Sequence, residues 1–148
     1  MAVKIIIKEA DIKNVVEINS KIIEFDKKYS SSYFESRYNG KNRLILIGYF
    51  ENKPAGYIVA YDKYNDGSFY CWMAGVDPKY RRKGIMSGLM EYLEKWAKEN
   101  GYQKIKIKTR NNRRAMLTYL IRHGFYFISI EERTLVEDYR IILEHKII

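Results

Sequence analysis

Residues 74–102 read AGVDPKYRRKGIMSGLMEYLEKWAKENGY. Ala74, Gly75 and Val76 end an apolar run at Asp77-Pro78, and a proline cannot sit inside a central ladder, so a strand stops there. Three cations follow, Arg81, Arg82 and Lys83, and then Gly84. Behind that glycine Met86, Leu89, Met90, Leu93 and Ala97 step at three and four residues, the spacing of one helix face, and Gly101 suits the position just past a helix end. Crowding positive charge ahead of a helix is costly unless something negative sits against it. A helix N-terminus leaves about four N–H groups unpaired and carries roughly half a positive charge, so this segment suits a pyrophosphate. It suits equally a solvated basic loop in which Gly84 serves only the turn, because short glycine-basic motifs have many chance matches.

The flanking sequence supplies a frame. Upstream, residues 3–7 are β-branched and read as a first strand. Asp11 is placed to cap a helix carrying Ile12, Val15, Val16, Ile22 and Ile23 at helical spacing. Residues 25–38, rich in tyrosine, serine and charge, read as a short helix plus loop. Residues 44–50 are apolar on both faces, the pattern of a strand buried on both sides. The turn at residues 51–54 leads to a strand at 56–61, and Asn65-Asp66-Gly67 signals a hairpin into residues 69–76, so three antiparallel strands form a meander. Downstream, residues 102–109 alternate, with Lys104, Lys106 and Lys108 on one face and Ile105 and Ile107 on the other. Asn112 is expected to cap a helix running to Gly124, and residues 125–130 and 140–147 read as closing strands. The order is β-α-α-β-β-β-α-β-α-β-β, a mixed α+β sheet with helices on both faces. No repeat, low-complexity tract or linker interrupts it, so residues 1–148 are expected to form one domain.

Composition narrows the function. Apolar residues make up 47% and aromatic residues 15% of the 148, which excludes a disordered chain. No apolar run approaches the roughly 18 residues that span a bilayer and no signal peptide is visible. Together with a single cysteine, Cys71, this points to a reducing cytoplasm and no membrane partner. CxxC and HExxH patterns are absent and there are only two histidines, so no metal site is expected. The net charge of +9 belongs either to a lysine-rich solvated surface or to a protein with an anionic partner, such as a phosphorylated cofactor, an acidic acceptor or nucleic acid.

Residues 74–102, together with NRRAMLTYLIRHGF at residues 112–125 and the element order around them, resemble the GNAT family of acetyl-CoA-dependent N-acetyltransferases over nearly the whole chain. Walker and Rossmann glycine patterns are absent. The family's [Q/R]xxGx[G/A] loop is matched by Arg81-Arg82-Lys83-Gly84-Ile85-Met86 up to its last position, where Met86 departs. Met86 either turns inward with the apolar helix stripe or intrudes where the diphosphate would lie. The resemblance implies a mostly antiparallel sheet of six to seven strands flanked by about four helices. It also implies transfer of an acetyl group from acetyl-CoA to a primary amine by direct attack in a ternary complex, with no metal. Backbone groups of Ala74, Gly75 and Val76 would pair with the pantetheine arm, and one of their N–H groups would polarise the thioester carbonyl. N–H groups from Arg82 to Ser87, including those of Gly84, Ile85 and Met86, would hold the pyrophosphate. The side chains of Arg81, Arg82 and Lys83 would meet the remaining charge, and Asn112 belongs to the same cofactor set. Each good charge-assisted bond contributes roughly 1.5–3 kcal/mol.

The family often takes the proton for the departing thiolate from a tyrosine on the helix after the asparagine. Counting forward from Asn112 gives Tyr119, while counting back from Gly124-Phe125 gives Leu120. Tyr119 is favoured, because Leu120 belongs to the apolar set with Met116, Leu117 and Ile121. The base that frees the amine is harder to place, since residues 69–73, FYCWM, hold no carboxylate. Asp62, Asp66, Glu24, Asp26, Glu35 and a water relay past Tyr70 stay open. Cys71, with no histidine beside it, reads as core; His123, in the last turn of its helix, reads as structural. The acceptor pocket is expected to include Glu24 and Tyr70. The tyrosines and carboxylates of residues 24–38 suit a cationic, partly apolar amine, whereas the lysine face suits an acidic one or is simply wet. A non-catalytic acyl-CoA sensor is the alternative function. A basic nucleic-acid module is disfavoured, because the basic residues are scattered and no such motif appears. The chain is expected to be a monomer or homodimer.

Overall fold

The computed structural model describes residues 4–21 and 29–148. The β-branched opening forms β1, Ile5–Glu9, two residues later than expected, because it pairs antiparallel with the end of the second strand from Ile5↔Phe50 to Glu9↔Leu46. As an edge strand it carries the exposed Lys8 and Glu9 without burying charge. Helix α1, Ile12–Asn19, starts after Asp11 as expected, although the Asp11 side chain makes no capping hydrogen bond. Ile22 and Ile23 lie outside the described residues, as do Glu24 and Asp26. Helix α2, Ser31–Tyr38, is capped by Ser30, whose hydroxyl oxygen accepts the Tyr33 N–H at 3.3 Å.

The meander is present as β2, Arg43–Phe50, β3, Lys53–Tyr61, and β4, Ser68–Val76, all antiparallel. Glu51 and Asn52 join the first two with φ of 46° and 70°, the mirror-image turn that matches strand twist. After a 3-10 turn at Pro78–Tyr80, helix α3 runs Ile85–Glu99 and β5 runs Lys104–Arg110. Helix α4, Arg114–Arg122, has Arg113 rather than Asn112 at its N-cap. Asn112 stands one residue outside, held by its N–H to the Glu137 carbonyl at 3.1 Å. Strands β6, Tyr126–Glu131, and β7, Arg140–Lys146, close the chain.

The sheet order is β1-β2-β3-β4-β5-β7-β6, so the last strand inserts between β5 and β6. Only β4 and β5 are parallel. Helices α3 and α4 bury Leu89, Leu93, Leu117 and Leu120 on one face; α1 and α2 bury Ile12, Val15, Ile18 and Phe34 on the other. Each fully buried side chain of this size stabilises the fold by about 1.5–3 kcal/mol. This double covering explains why β2 is apolar on both faces.

Two irregularities in β4 position the site. Its pairing with β3 runs from Ala60↔Cys71 to Val59↔Met73, leaving Trp72 as an extra residue, a bulge that bends the strand. Its parallel pairing with β5 extends only from Ser68↔Lys104 to Cys71↔Ile107. Beyond the bulge, β4 stays paired to β3 through Ala74, Gly75 and Val76 but has left β5. The sheet therefore splays open at its centre.

Candidate active site

The loop between β4 and α3 is shaped by its backbone. Asp77 accepts the Lys79 N–H at 3.0 Å, and Arg81 Nε donates to the Val76 carbonyl at 3.2 Å, bracing the strand end. Arg82 and Gly84 both have positive φ, 62° and 89°. Alternating left-handed residues turn successive N–H groups toward one side, the geometry of an anion nest. A Cβ on Gly84 would meet only Ile5, at 3.4 Å, so glycine is required there for its φ rather than for space. The first bond inside the helix runs from the Gly88 N–H to the Gly84 carbonyl at 3.0 Å, so the amides of Ile85, Met86 and Ser87 have no acceptor within α3.

A cleft of about 640 Å³ lies between this loop, the freed end of β4 and α4. Its walls include Ala74, Gly75, Val76, Arg81, Arg82, Gly84, Ile85, Met86, Ser87, Asn112 and Tyr119. Lys83 is not brought there: its ammonium lies 5.3 Å from the centre of the Phe50 ring. Met86 does two things at once, packing half-buried against the core and lining the cleft. Tyr80, Arg113, Arg114, Ala115 and Met116 also line it, none of them assigned to the cofactor set from the sequence. The asparagine-arginine run at residues 111–114, set between a strand and a helix, was the available signal for the arginines.

Of the two helix registers, the structure puts Tyr119 on the cleft wall and Leu120 fully in the core. Burial raises the Tyr119 phenol above its ordinary pKa, opposed by a hydrogen bond with the Ser87 side chain, so it holds its proton at neutral pH. His123 stacks on the Tyr119 ring with centroids 3.9 Å apart and donates from Nδ1 to the Tyr119 carbonyl at 2.7 Å, a bracing role.

A second cavity of about 410 Å³ opens where β4 and β5 part. Its lining includes the aromatic Tyr29, Tyr70 and Trp72 and the cationic Lys108, Arg110 and Arg140. Ala74, Arg113 and Met116 line both cavities, so the two spaces abut. Cys71 lies at the floor, its thiol pushed up to about 12 by burial, which removes it as a nucleophile. Burial likewise raises the Tyr70 phenol, so it is no base.

The open candidates for a base thin out. Hydrogen bonds from Lys106 and Ser68 hold the Asp66 carboxyl well below the usual carboxylate range, with Lys106 Nζ at 2.8 Å. Asp62 accepts the Asn65 N–H at 3.0 Å and the Tyr102 hydroxyl at 3.0 Å, as a hairpin brace. Glu35 is exposed on α2. The lysine face is compensated, with Lys104, Lys106 and Lys108 paired to Glu144, Asp66 and Glu131. Among the described residues no three His, Cys, Asp or Glu side chains are grouped as metal ligands, and no helix is long and apolar enough to cross a membrane.

Residues 13–125 match the model of the acetyltransferase (GNAT) family, so the chain belongs to that family. The fold is shared with the ribosomal-protein-S18-alanine N-acetyltransferase of Escherichia coli, at TM-score 0.82 and 18% identity over 97% of this chain and 94% of that one. Ard1 of Thermoplasma volcanium aligns at TM-score 0.78 and 16% identity, over 97% and 98% of the two chains. A Bacillus anthracis str. Ames protein, assigned provisionally as a streptothricin acetyltransferase and solved in complex with acetyl coenzyme A, aligns at TM-score 0.67 and 25% identity, over 76% of this chain and 67% of that one. No curated protein matches significantly.

Proposed function

We propose that the protein, acting as one domain in the cytoplasm, is an N-acetyltransferase that moves the acetyl group of acetyl-CoA directly to a primary amine. The observation that carries this reading is the pair of abutting cavities: a cleft at a helix N-terminus, joined at Ala74, Arg113 and Met116 to a second space bordered by β4. A long donor and a separate acceptor can then meet without a covalent enzyme intermediate.

The residues present fit the donor. The amides of Ile85, Met86 and Ser87 and the left-handed Arg82 and Gly84 form a phosphate-sized nest, with Arg81 and Arg82 beside it. Residues 74–76, free of β5, offer one strand edge to the amides of a pantetheine arm. Acetyl-CoA, when bound, supplies the thioester. One N–H group among Ala74, Gly75 and Val76 polarises its carbonyl, a role typically worth about 2.7–4 kcal/mol where a single donor has been removed. Tyr119, protonated at neutral pH, donates the proton to the sulfur. A free amine of lysine type, with pKa about 10.4, must lose a proton before attack. With Asp66 tied up, Tyr70 protonated, and Glu24 and Asp26 outside the described residues, water along the backbone carbonyls of β4 is the route we propose for that proton.

The test is acetyl-CoA consumption across small polyamines, aminoglycosides, amino acids and peptide N-termini, run beside melting with coenzyme A. Amine-dependent thiol release from one class supports the enzyme. A coenzyme A-induced melting shift with no turnover of any amine would instead make the protein an acyl-CoA sensor.

A further inference from the structure

A tyrosine that protonates sulfur must regain a proton before the next turnover. Tyr119 and Ser87 line a third, smaller cavity of about 100 Å³ as well as the cleft. At about 30 Å³ for each molecule of liquid water, that cavity has room for roughly three. Glu91, Glu94 and His123 supply the rest of its polar lining, and Met90 and Phe125 its apolar part. Glu91 and Glu94 in turn line an outer groove of about 520 Å³, together with Lys95, Lys98, His145 and Lys146. Cleft, small cavity and outer groove thus form a series, joined first at Tyr119 and Ser87 and then at the two glutamates.

The second junction has the geometry to hold a proton. A Cβ on Gly124 would lie 2.9 Å from the His145 ring, so a glycine lets this imidazole of β7 close on the end of α4. Its Nδ1 lies 3.1 Å from the Gly124 carbonyl oxygen and its Nε2 3.5 Å from Glu94 Oε1, while Phe125 packs on the ring with centroids 5.2 Å apart. With an Nδ1–H donating to that carbonyl, Nε2 turns a lone pair toward the carboxyl. Two acceptors face to face repel unless one proton lies between them. Burial raises the Glu94 carboxyl above its ordinary value, opposed by His145 and His123 and reinforced by Glu91. Burial first, then these two glutamates, raise the Tyr119 phenol against the Ser87 hydrogen bond, so a tyrosinate formed there takes up a proton readily.

We propose that the Glu94–His145 pair holds the proton that returns to Tyr119, delivered through water in the small cavity. The proposal rests on the acetyltransferase reading and on Tyr119 as its acid. The Tyr119 O–H bond breaks as S–H forms on the departing coenzyme A. A proton then passes from the pair to water and from water to the phenolate, and the pair takes its replacement from the outer groove. Facing the pair are Glu91, Lys95 and Lys98 from α3, Tyr119 and His123 from α4, and Lys146 from β7. Glu94 touches no substrate and acts only through Tyr119.

The test reads kcat and KM across about pH 6 to 9 with the best acceptor from the amine screen. Wild-type kcat is expected to fall on the alkaline side as the pair loses its proton. Glu94→Gln keeps the shape but has no proton to give. Its kcat should drop by about tenfold and lose that limb, with KM and the coenzyme A melting shift unchanged. Glu94→Asp should restore part of the rate. In Tyr119→Phe, which has no phenol to serve, adding Glu94→Gln should cost nothing further. Should Glu94→Gln fail to fold, His145→Gln asks the same question from β7. An undiminished kcat in Glu94→Gln, an unchanged alkaline limb, a loss carried by KM alone, or an equal loss in the Tyr119→Phe background each overturns the relay. So does an undiminished rate in Tyr119→Phe, which removes the acid the relay serves and leaves the acetyltransferase reading standing. A melting temperature unmoved by coenzyme A, or no amine turned over, instead sinks that reading, and the relay with it.

Discussion

The cleft beside α3 draws most of its lining from one continuous stretch, residues 74–87, with the start of α4 as the rest, whereas the cavity beneath Tyr70 and Trp72 is lined from three strands, α4 and the residues before α2. The first offers N–H groups and a helix end, which recognise phosphate and amide without regard to what else the ligand carries. The second offers rings and guanidinium groups, which choose. In the proposed transfer, a donor common to many reactions needs only the first kind of surface, and discrimination among acceptors falls to the second. The two meet where Ala74, Arg113 and Met116 line both.

Three substitutions probe that division. The largest effect is expected from Gly84→Glu, which places a carboxylate and a strained φ in the nest. Coenzyme A at about a hundred times its dissociation constant should stabilise the wild type by roughly 2.7 kcal/mol, a melting shift of about 5–10 °C, and leave the variant unmoved. A variant that still shifts would place the donor elsewhere.

Tyr119→Phe comes next. Only the phenolic proton is removed, so turnover should fall at least about tenfold, roughly 1.4 kcal/mol, with the coenzyme A shift retained. An undiminished rate would hand the protonation of sulfur to water.

The smallest effect belongs to the turn before β4. Asp66 has a depressed pKa, so its contribution is present above the unfolded value of about 4 and is lost as pH falls below it. The carboxylate side chain is 39% exposed, which limits the contribution to under about 1 kcal/mol. Asp66→Asn should flatten the acid limb of a pH–stability curve between about pH 4 and pH 2 and change little at pH 7 beyond a constant offset. An acid limb as steep as the wild type's would mean that other carboxylates carry the acid sensitivity.

The same division explains what was legible in the sequence. The β4–α3 side of the first cleft is local: a proline stop, a basic run, a glycine and an apolar stripe lie within residues 76–97, and each is a rule about backbone or helix periodicity. Met86 was the ambiguous position, and it is ambiguous in space too, facing both core and cleft. Charge alone says nothing of direction: the Lys83 ammonium lies over Phe50, away from the residues that line the cleft. The second cavity is not local. Arg140 reaches it only because β7 inserts between β5 and β6, and no pattern within residues 125–147 distinguishes that order from a simple meander. The Trp72 bulge, which frees residues 74–76 from β5, likewise depends on pairing across the sheet. Asn112 was displaced from the cap by one residue because the turn at Glu137, far along the chain, holds it.

Direct transfer across the junction at Ala74 is tested most simply by initial rates with both substrates varied, using the best acceptor from the amine screen. Abutting cavities and a buried, unreactive Cys71 predict double-reciprocal lines that intersect, the pattern of a ternary complex. Parallel lines, the signature of an acetylated enzyme, would contradict it.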